Sequence, residues 1–559
     1  MNTTPHHLGP VLRNRLTPVE HRIPAPVGDG FAECGDFIVG RVDGSWVAYD
    51  RVCDHNGGLL CVDKGGATAT CHTHKWTLIL KQATYENSCR KKTLPVRESD
   101  GELVITTEIP QFPEIDRGAL SDAPVELSFN AHASFTAEVP GLCLTTDPWF
   151  VGSCFATGWW HAHPPSLEAI ERLQRSDCIY ISHNHPDHLH MPTLEEYVAK
   201  DRLFLIPAFE SRSVETLLRR HGYENLVVAD FMQVVDFPTS AGIVRTMLVR
   251  AGDGRDDSSL LVFMKEDTLF FGVDTNMPNR WVLPKVDVLF TPFAGGSSGF
   301  PSRIANFNTE RKTEIITANR NSVLTNHVDK LVKATRPGHV VPYAGYFTEA
   351  PRDQEVKDIN RKNSPADLVA FVESTFPGVR GINPLDMPAF TLSDGRITPR
   401  EVFETPSYFL DDEYIAEDLA RFTAGTAPID ASGLERLGRR LVDSPFTDAL
   451  TVLFVPSDDA FSPSCGQALA VDFSAVDRGW RLVAVNDTDN AALAASIAQT
   501  TANNVEILRV RADILGGALA RGLPLEDLSI GFQIVMYRQP NVYNFKFWDH
   551  FTNAEFMSA

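Results

Sequence analysis

The sequence predicts a multidomain protein: an all-β unit at residues 1–115, a central α/β unit at 116–395 and an α+β unit at 396–559. Three observations carry this division. The first unit reads as short strands with Gly-rich turns, such as FIVGRVDG, SWVAYDRV and ELVITTEI. The second alternates apolar strand-like runs with amphipathic helical stretches, the signature of layered α/β structure. Beyond about residue 400 the chain becomes strongly acidic (YFLDDEYIAEDLARF) before mixed patterning resumes.

The length of 559 residues itself exceeds one domain, since domains typically run to ~100–200 residues. Hydrophobic residues make up 43% and charged residues 22%, enough apolar material for several cores. Lys+Arg number 51 against Asp+Glu 72, and the resulting net charge of −21 argues against a nucleic-acid or anionic-membrane surface. The same charge suits docking to a basic partner. No apolar run approaches the ~20 residues of a membrane span. MNTTPHHLGP has no apolar core of the kind a secretory signal needs. Nine cysteines, an odd number scattered along the chain, do not read as a disulfide framework and fit a reducing compartment. The expected location is cytoplasmic. The segment IPQFPEIDRG reads as a Pro-containing linker between the first two units.

Chemistry enters at VCDHNGGLLCVDKGGATATCHTHKW. This is C-x-H, fifteen intervening residues, then C-x-x-H. A Rieske 2Fe-2S cluster needs two thiolates on one iron and two neutral imidazoles on the other. Cys53 with His55, and Cys71 with His74, supply one ligand of each kind from each of two tight loops. Four-ligand zinc is the competing reading, but zinc fingers pair Cys with Cys and His with His rather than mixing them at this separation. Cys61 and Cys89 read as small buried hydrophobes.

A second constellation is YISHNHPDHLHMPT, an H-x-H-x-D-H loop at the end of an apolar strand. His183, His185, Asp187 and His188 converge there as a binuclear metal site requires. His190 breaks the pattern and reads as a surface or supporting residue. Upstream, NAHASFTAEVPGLCLTTDPWF resembles the opening hairpin of the metallo-β-lactamase fold, with His132 in its turn and Asp147 at a strand end. Downstream, FFGVDTN puts Asp274 at another strand end, where that fold carries a metal-bridging Asp. The central unit is therefore expected to be an αββα layer structure.

Together these segments resemble the CMP-N-acetylneuraminate hydroxylase family over nearly the whole chain. CDHNGG, CHTHKW, DPWFVGSCFATGWWHAHPPS, FAGGSSGFPS, VVPYAGYFTEA and the terminal LPLEDLSIGFQIVMYRQPNVYNFKFWDHF add to the likeness. The resemblance implies oxidation of an N-acetyl methyl group on a CMP-sugar by dioxygen, with electrons relayed by a small redox protein. A cluster that moves single electrons needs a redox-active acceptor, so non-haem iron, mononuclear or dinuclear, is expected in the second site, with zinc as the alternative. Asp187, His188 and Asp274 are the expected catalytic set.

The sequence departs from hydrolases of the fold at two places. The stretch RAGDGRDDSSLLV has no His before the bridging Asp, which leaves Asp253 as the nearest candidate ligand and Asp256 and Asp257 as rivals. The last His is replaced by Tyr343 in VVPYAGYF, with His327 and His339 near in sequence and His327 in a helical stretch. His163 in GWWHAHPP matches a family His and joins the expected ligands, ahead of His161. The aromatic tail, Tyr543, Phe545, Phe547 and Trp548, reads as a packed terminal element. The expected function is thus a Rieske-type iron monooxygenase acting on CMP-N-acetylneuraminate or another small polar substrate, an amine or amino-sugar included. No nicotinamide or flavin fingerprint is present, so electrons are expected from a ferredoxin or cytochrome b5-like donor with its reductase. The alternative is a binuclear metallo-hydrolase with a structural or regulatory Rieske unit.

Overall fold

The computed structural model describes residues 4–28, 30–54, 58–71, 75–86, 89–296, 298–350, 353–485, 489–501 and 503–551. At its centre two eight-stranded sheets face each other. One sheet runs Leu226–Ala229, Leu203–Pro207, Cys178–Tyr180, Leu142–Thr146, Ser134–Val139, Val125–Ala131, Ala389–Ser393, Arg396–Pro399. The other is built on Gln233–Thr239, Gly242–Arg250, Ser258–Phe263, Thr268–Phe271, Val288–Thr291 and His339–Pro342. Their inner faces share one core that includes Phe135, Leu144, Tyr180, Leu260, Phe271 and Phe290. Three helices, Leu167–Arg175, Met191–Tyr197 and Ser213–Arg220, cover the outer face of the first sheet through Leu173, Leu194 and Leu218. Burying both faces of its parallel strands explains why runs such as RLFLIPAF are apolar without alternation. This is the expected αββα arrangement, and the apolar runs read as strands all appear as strands.

Three smaller sheets carry the first stretch of chain. One has the order Val96–Ser99, Glu102–Gln111, Arg15–Pro24; another is Ala32–Cys34, Phe37–Val42, Ser45–Asp50; the third is Leu60–Val62, Thr68–Cys71, Thr77–Ile79, Thr84–Tyr85. Two details differ from the sequence reading. The strand His7–Val11 pairs antiparallel with Gln233–Thr239 and so belongs to the central sandwich rather than to the unit expected at 1–115. The linker expected at IPQFPEIDRG begins as strand, since Ile109, Pro110 and Gln111 pair with Thr17, Leu16 and Arg15.

The last part forms a mixed five-stranded sheet, Gly479–Ala484, Gln467–Asp472, Leu450–Ser457, Asn504–Arg511, Ile534–Gln539, packed on helices Ala431–Asp443 and Ala512–Arg521. Its hydrogen bonds reach the central layers: Gln533 donates to the carbonyl of Ala156 at 3.0 Å. Arg303 of the central part and Arg511 of the last part both bind the buried carboxylate of Asp353. The aromatic tail is a short helix, Phe545–His550, with Phe547 and Trp548 buried and Phe545 against Trp76 of the first part.

Candidate metal centre

The loop after strand Cys178–Tyr180 brings its three histidines and its aspartate together at the strand ends of the central sandwich. Asp147 follows the neighbouring strand and organises the loop from behind. It accepts from the Ser182 amide and hydroxyl, each at 2.8 Å, and from His188 Nδ1 at 3.0 Å. That hydrogen bond fixes the His188 ring and turns Nε2 toward Asp187 at 3.3 Å and Asp274 at 3.6 Å. A carboxylate behind a ligating imidazole is the arrangement that sets tautomer and raises ligand basicity. Asp147 has a left-handed φ of 34° and His132 one of 40°, so both sit on strained backbone held by their surroundings.

His132 comes from the turn between Val125–Ala131 and Ser134–Val139, and its Nε2 lies 3.1 Å from Asp187 Oδ2. Two three-donor groups result: His132, Asp187 and His188, and His183, His188 and Asp274. They share His188, whose one free nitrogen, Nε2, can serve a single ion, so the two groups adjoin around that ring. With Ser182 donating to Asp147, His183 Nδ1–H donates to Ser182 Oγ at 2.9 Å and leaves Nε2 as a lone pair, 2.8 Å from His185 Nδ1. Glu526, from the C-terminal part, approaches His185 Nε2 at 3.7 Å.

The electrostatics are those of a preformed cation site. Burial works against ionising Asp187, but the His188 and His132 rings outweigh it and hold the carboxyl well below the usual range. Burial likewise opposes charging His188, yet Asp187 and Asp274 raise it well above an ordinary imidazole. Asp187 Oδ1, His188 Nε2 and His132 Nδ1 are buried without a hydrogen-bond partner among the described residues. Unpaired buried polar atoms are costly, and imidazole with carboxylate suits non-haem iron or zinc. The residues fit a metal. Asp274, 42% exposed, leaves one side of the group accessible.

In the first part, Cys53 and Cys71 are buried in one small core with Tyr49, Leu60, Leu78 and Tyr85. The Cys53 amide closes its loop on the Gly58 carbonyl at 2.7 Å, and the Cys71 amide closes the other on Trp76 at 2.8 Å. Leu60 pairs directly with Cys71, so the two loops lie adjacent. The other two expected ligands, His55 and His74, lie outside the described residues.

Comparison with known proteins follows this geometry. The family described as beta-lactamase superfamily domain matches residues 126–342, the metal-centre sandwich. Cytidine monophosphate-N-acetylneuraminic acid hydroxylase of Danio rerio is 29% identical over 94% of this chain and 90% of that protein. The protein of the same name from Macaca mulatta is 28% identical over 92% and 88%. The chain is a relative of these hydroxylases. Among solved structures, CmlA, a diiron beta-hydroxylase from Streptomyces venezuelae, covers 50% of this chain and 55% of its own at 18% identity and a TM-score of 0.31.

Several expected site residues of this hydroxylase relative stand elsewhere. Asp253 does not join the donor groups; Arg255 Nε at 3.0 Å and Asn276 Nδ2 at 3.1 Å hold it. Its rival Asp257 is nearer, with Oδ1 3.9 Å from His183 Nε2, and burial raises its carboxyl to about 6. His163 is exposed, edge-on to Tyr346, and joins neither donor group, whereas His161 stacks on Trp149 and bonds Tyr408. Tyr343 does not take the place of the missing His: its hydroxyl pairs with Thr146 at 2.8 Å in the core. His190 is buried and caps helix Met191–Tyr197 by accepting from the Thr193 amide. His327 is buried in its helical stretch, and Cys61 and Cys89 are half-buried rather than core. His132 and Glu526 were not in the expected ligand set; the H-A-S turn was the only local signal for the first, and nothing local marks the second.

Proposed function

We propose that this protein is a Rieske-dependent non-haem iron monooxygenase, an oxidoreductase that hydroxylates a small polar substrate. The observation that carries the reading is the pair of donor groups sharing His188, with buried lone pairs unsatisfied, in a chain that also holds Cys53 and Cys71 in adjacent loops. Similarity to the hydroxylases along more than nine-tenths of the chain supports it. Residues 1–115 form the Rieske unit with Cys53, His55, Cys71 and His74 as ligands; 116–395 form the catalytic unit; 396–559 form a unit that closes over it. His183, His185, Asp187, His188 and Asp274 hold the iron, with His132 and Asp257 completing the set in place of Asp253 and His163.

Iron bound there would supply the activation of dioxygen, with single electrons from the cluster. The chain's own residues do the rest. Asp147 holds His188 in one tautomer, Glu526 steadies His185, and the partly exposed flank at Asp274 admits substrate. CMP-N-acetylneuraminate is the proposed substrate, with other amino-sugars and amines next, and the proposed donor is a ferredoxin or cytochrome b5-like protein with its reductase. No helix among the described residues is long and apolar enough to cross a membrane; a cytoplasmic location is proposed with the rest.

The test is turnover of CMP-N-acetylneuraminate with reductase and donor under labelled dioxygen. Product carrying the dioxygen label, with no turnover when the donor is withheld, is the expected result. Full-rate anaerobic turnover with solvent oxygen in the product would replace the oxygenase with a metallo-hydrolase.

A further inference from the structure

His132, one of the donors around Asp187, turns its ring toward more than the metal centre. It meets Trp149 edge to face, with ring centroids 5.3 Å apart at 67°. Trp149 in turn stacks on His161 at 3.9 Å and 28°. His161 Nδ1 lies 2.7 Å from the Tyr408 hydroxyl, and the Tyr408 ring stacks on Tyr414 at 4.3 Å and 9°. Aromatic centroids within about 7 Å are in contact, so the row runs unbroken from a metal donor to Tyr414. His132, Trp149 and His161 are buried, whereas both tyrosines are partly exposed. Trp149, His161, Tyr408 and Tyr414 belong to neither donor group.

The surroundings fix this row. Trp149 Nε1–H is shared between the carbonyls of Val151 and Gly152, each at 3.2 Å. The Gly152 amide donates to the Tyr414 hydroxyl at 2.9 Å, which ties the Trp149 segment to helix Asp412–Thr423. His161 is held in the short strand Trp159–His161, paired with Phe347–Glu349. Burial keeps the His161 ring neutral by lowering it well below an ordinary imidazole. With its proton on Nε2, the neutral ring offers Nδ1 as an acceptor, and the Tyr408 O–H donates to it. Burial also raises the Tyr408 phenol, so it keeps its proton at neutral pH. Indole and phenol are among the most readily oxidised side chains. A phenol hydrogen-bonded to a neutral imidazole has a base ready for its proton as an electron leaves.

We propose that Trp149, His161, Tyr408 and Tyr414 form a one-electron path that carries stray oxidising equivalents from the metal centre to the surface, a protective function separate from hydroxylation. The inference rests on the iron reading proposed above. The oxidant is the iron centre after reaction with dioxygen when no substrate is bound. In each passage that centre gains one electron and Tyr408 loses one. The Tyr408 O–H bond breaks and its proton moves to His161 Nδ1, which leaves a neutral phenoxyl radical beside an imidazolium. Trp149, in contact with both His132 and His161, relays the electron. A one-electron reductant in solution, a thiol or ascorbate, then reduces the radical by way of Tyr414. His161 returns the proton, and the burial that disfavours its charged form drives that return.

The experiment mixes iron-loaded, fully reduced protein with dioxygen in the absence of substrate and freeze-quenches it for EPR. Iron content and dioxygen consumption are measured on the same samples. The wild type gives a tyrosyl radical, recognised because its hyperfine pattern collapses in protein made with ring-deuterated tyrosine. Tyr408→Phe, which keeps the ring against Tyr414, lowers that signal by an order of magnitude or more with iron content unchanged. After repeated cycles without substrate, peptide mass spectra of the same variant show severalfold more oxidised Trp149. Tyr414→Phe keeps the signal and slows its loss to added ascorbate severalfold; loss at the wild-type rate would overturn the exit through Tyr414. Iron-loaded wild type that consumes dioxygen without a tyrosyl signal would overturn the path while the iron reading stands, and so would an undiminished signal in Tyr408→Phe. A signal that persists in iron-free protein would overturn it as well. Protein that takes up no iron and consumes no dioxygen would remove the iron reading and the path together, an outcome distinct from the others.

Discussion

Asp147 is buried completely, binds no expected metal position and yet governs the centre, because three hydrogen bonds tie it to Ser182 and to His188 Nδ1. Truncating it frees the His188 ring to rotate and leaves Nδ1 unpaired. Asp147→Ala should therefore weaken iron binding by about 10–100-fold, the usual effect of losing the carboxylate behind a ligating His. Chelator competition measures this, and unchanged affinity would show that His188 is positioned by other means. Asp253→Asn is the matched control. Arg255 and Asn276 hold that carboxylate, so its loss should leave iron affinity near wild type. Local sequence put His183, Asp187, His188 and Asp274 together as candidates, since one loop and one strand end supply them, and the structure groups them. Asp257 was a rival to Asp253 in sequence, and the turn geometry separates them: Arg255 reaches both, at 3.0 Å and 3.6 Å, but Asp257 also faces His183 at 3.9 Å.

At the scale of elements, strand Asn504–Arg511 carries a buried Glu506 that accepts from Trp548 of the terminal helix at 3.1 Å. Burial, opposed by Arg538 and this hydrogen bond, raises Glu506 from 4.5 to about 7. A carboxyl raised in the folded state binds its proton more tightly there than in the unfolded chain. Its contribution to stability is thus full below pH 4.5 and is lost as pH rises toward 7. Relative to Glu506→Gln, the wild type should lose about 3 kcal/mol across that window. Urea denaturation of both proteins at a series of pH values measures the difference, and parallel pH profiles would contradict it. The strand itself was readable from its apolar run, but the tail's role was only half legible. Phe547 and Trp548 pack as expected, while Tyr543 stays 41% exposed because it precedes the helix at the edge of the sheet. The linker at Ile109–Gln111 was misread for a related reason. Pro110 marks a chain break in sequence, yet at the end of a long ladder a missing amide costs little.

For the whole molecule, the arrangement that matters is how the last part closes onto the centre. Asp353, fully buried, pairs with two arginines from different parts of the chain, Arg303 and Arg511, while Gln533 and Glu526 extend the contact to Ala156 and His185. Removing the shared carboxylate takes the ion-pair partner from buried Arg303 and leaves Arg511 with exposed Asp459 and with Gln533, and breaking a buried pair by deleting one partner costs roughly 3–5 kcal/mol. Asp353→Ala should destabilise the protein by that amount in denaturant titrations and loosen the Glu526 side of the metal centre. A change below about 1 kcal/mol would mean the arginines find water instead. Contacts of this range, joining residues 50 or more positions apart, leave no local pattern, which is why Glu526 and the closing unit could not be assigned from sequence. Periodicity and motif spacing sufficed for the αββα centre and for the resemblance to the hydroxylases, since both are local properties. The central claim is that one chain holds a Rieske cluster and an iron centre, and anaerobic purification followed by iron, zinc and acid-labile sulfide analysis with EPR of the reduced protein tests it most directly. The account predicts a Rieske-type signal and iron in excess of acid-labile sulfide; zinc with neither sulfide nor signal would contradict it.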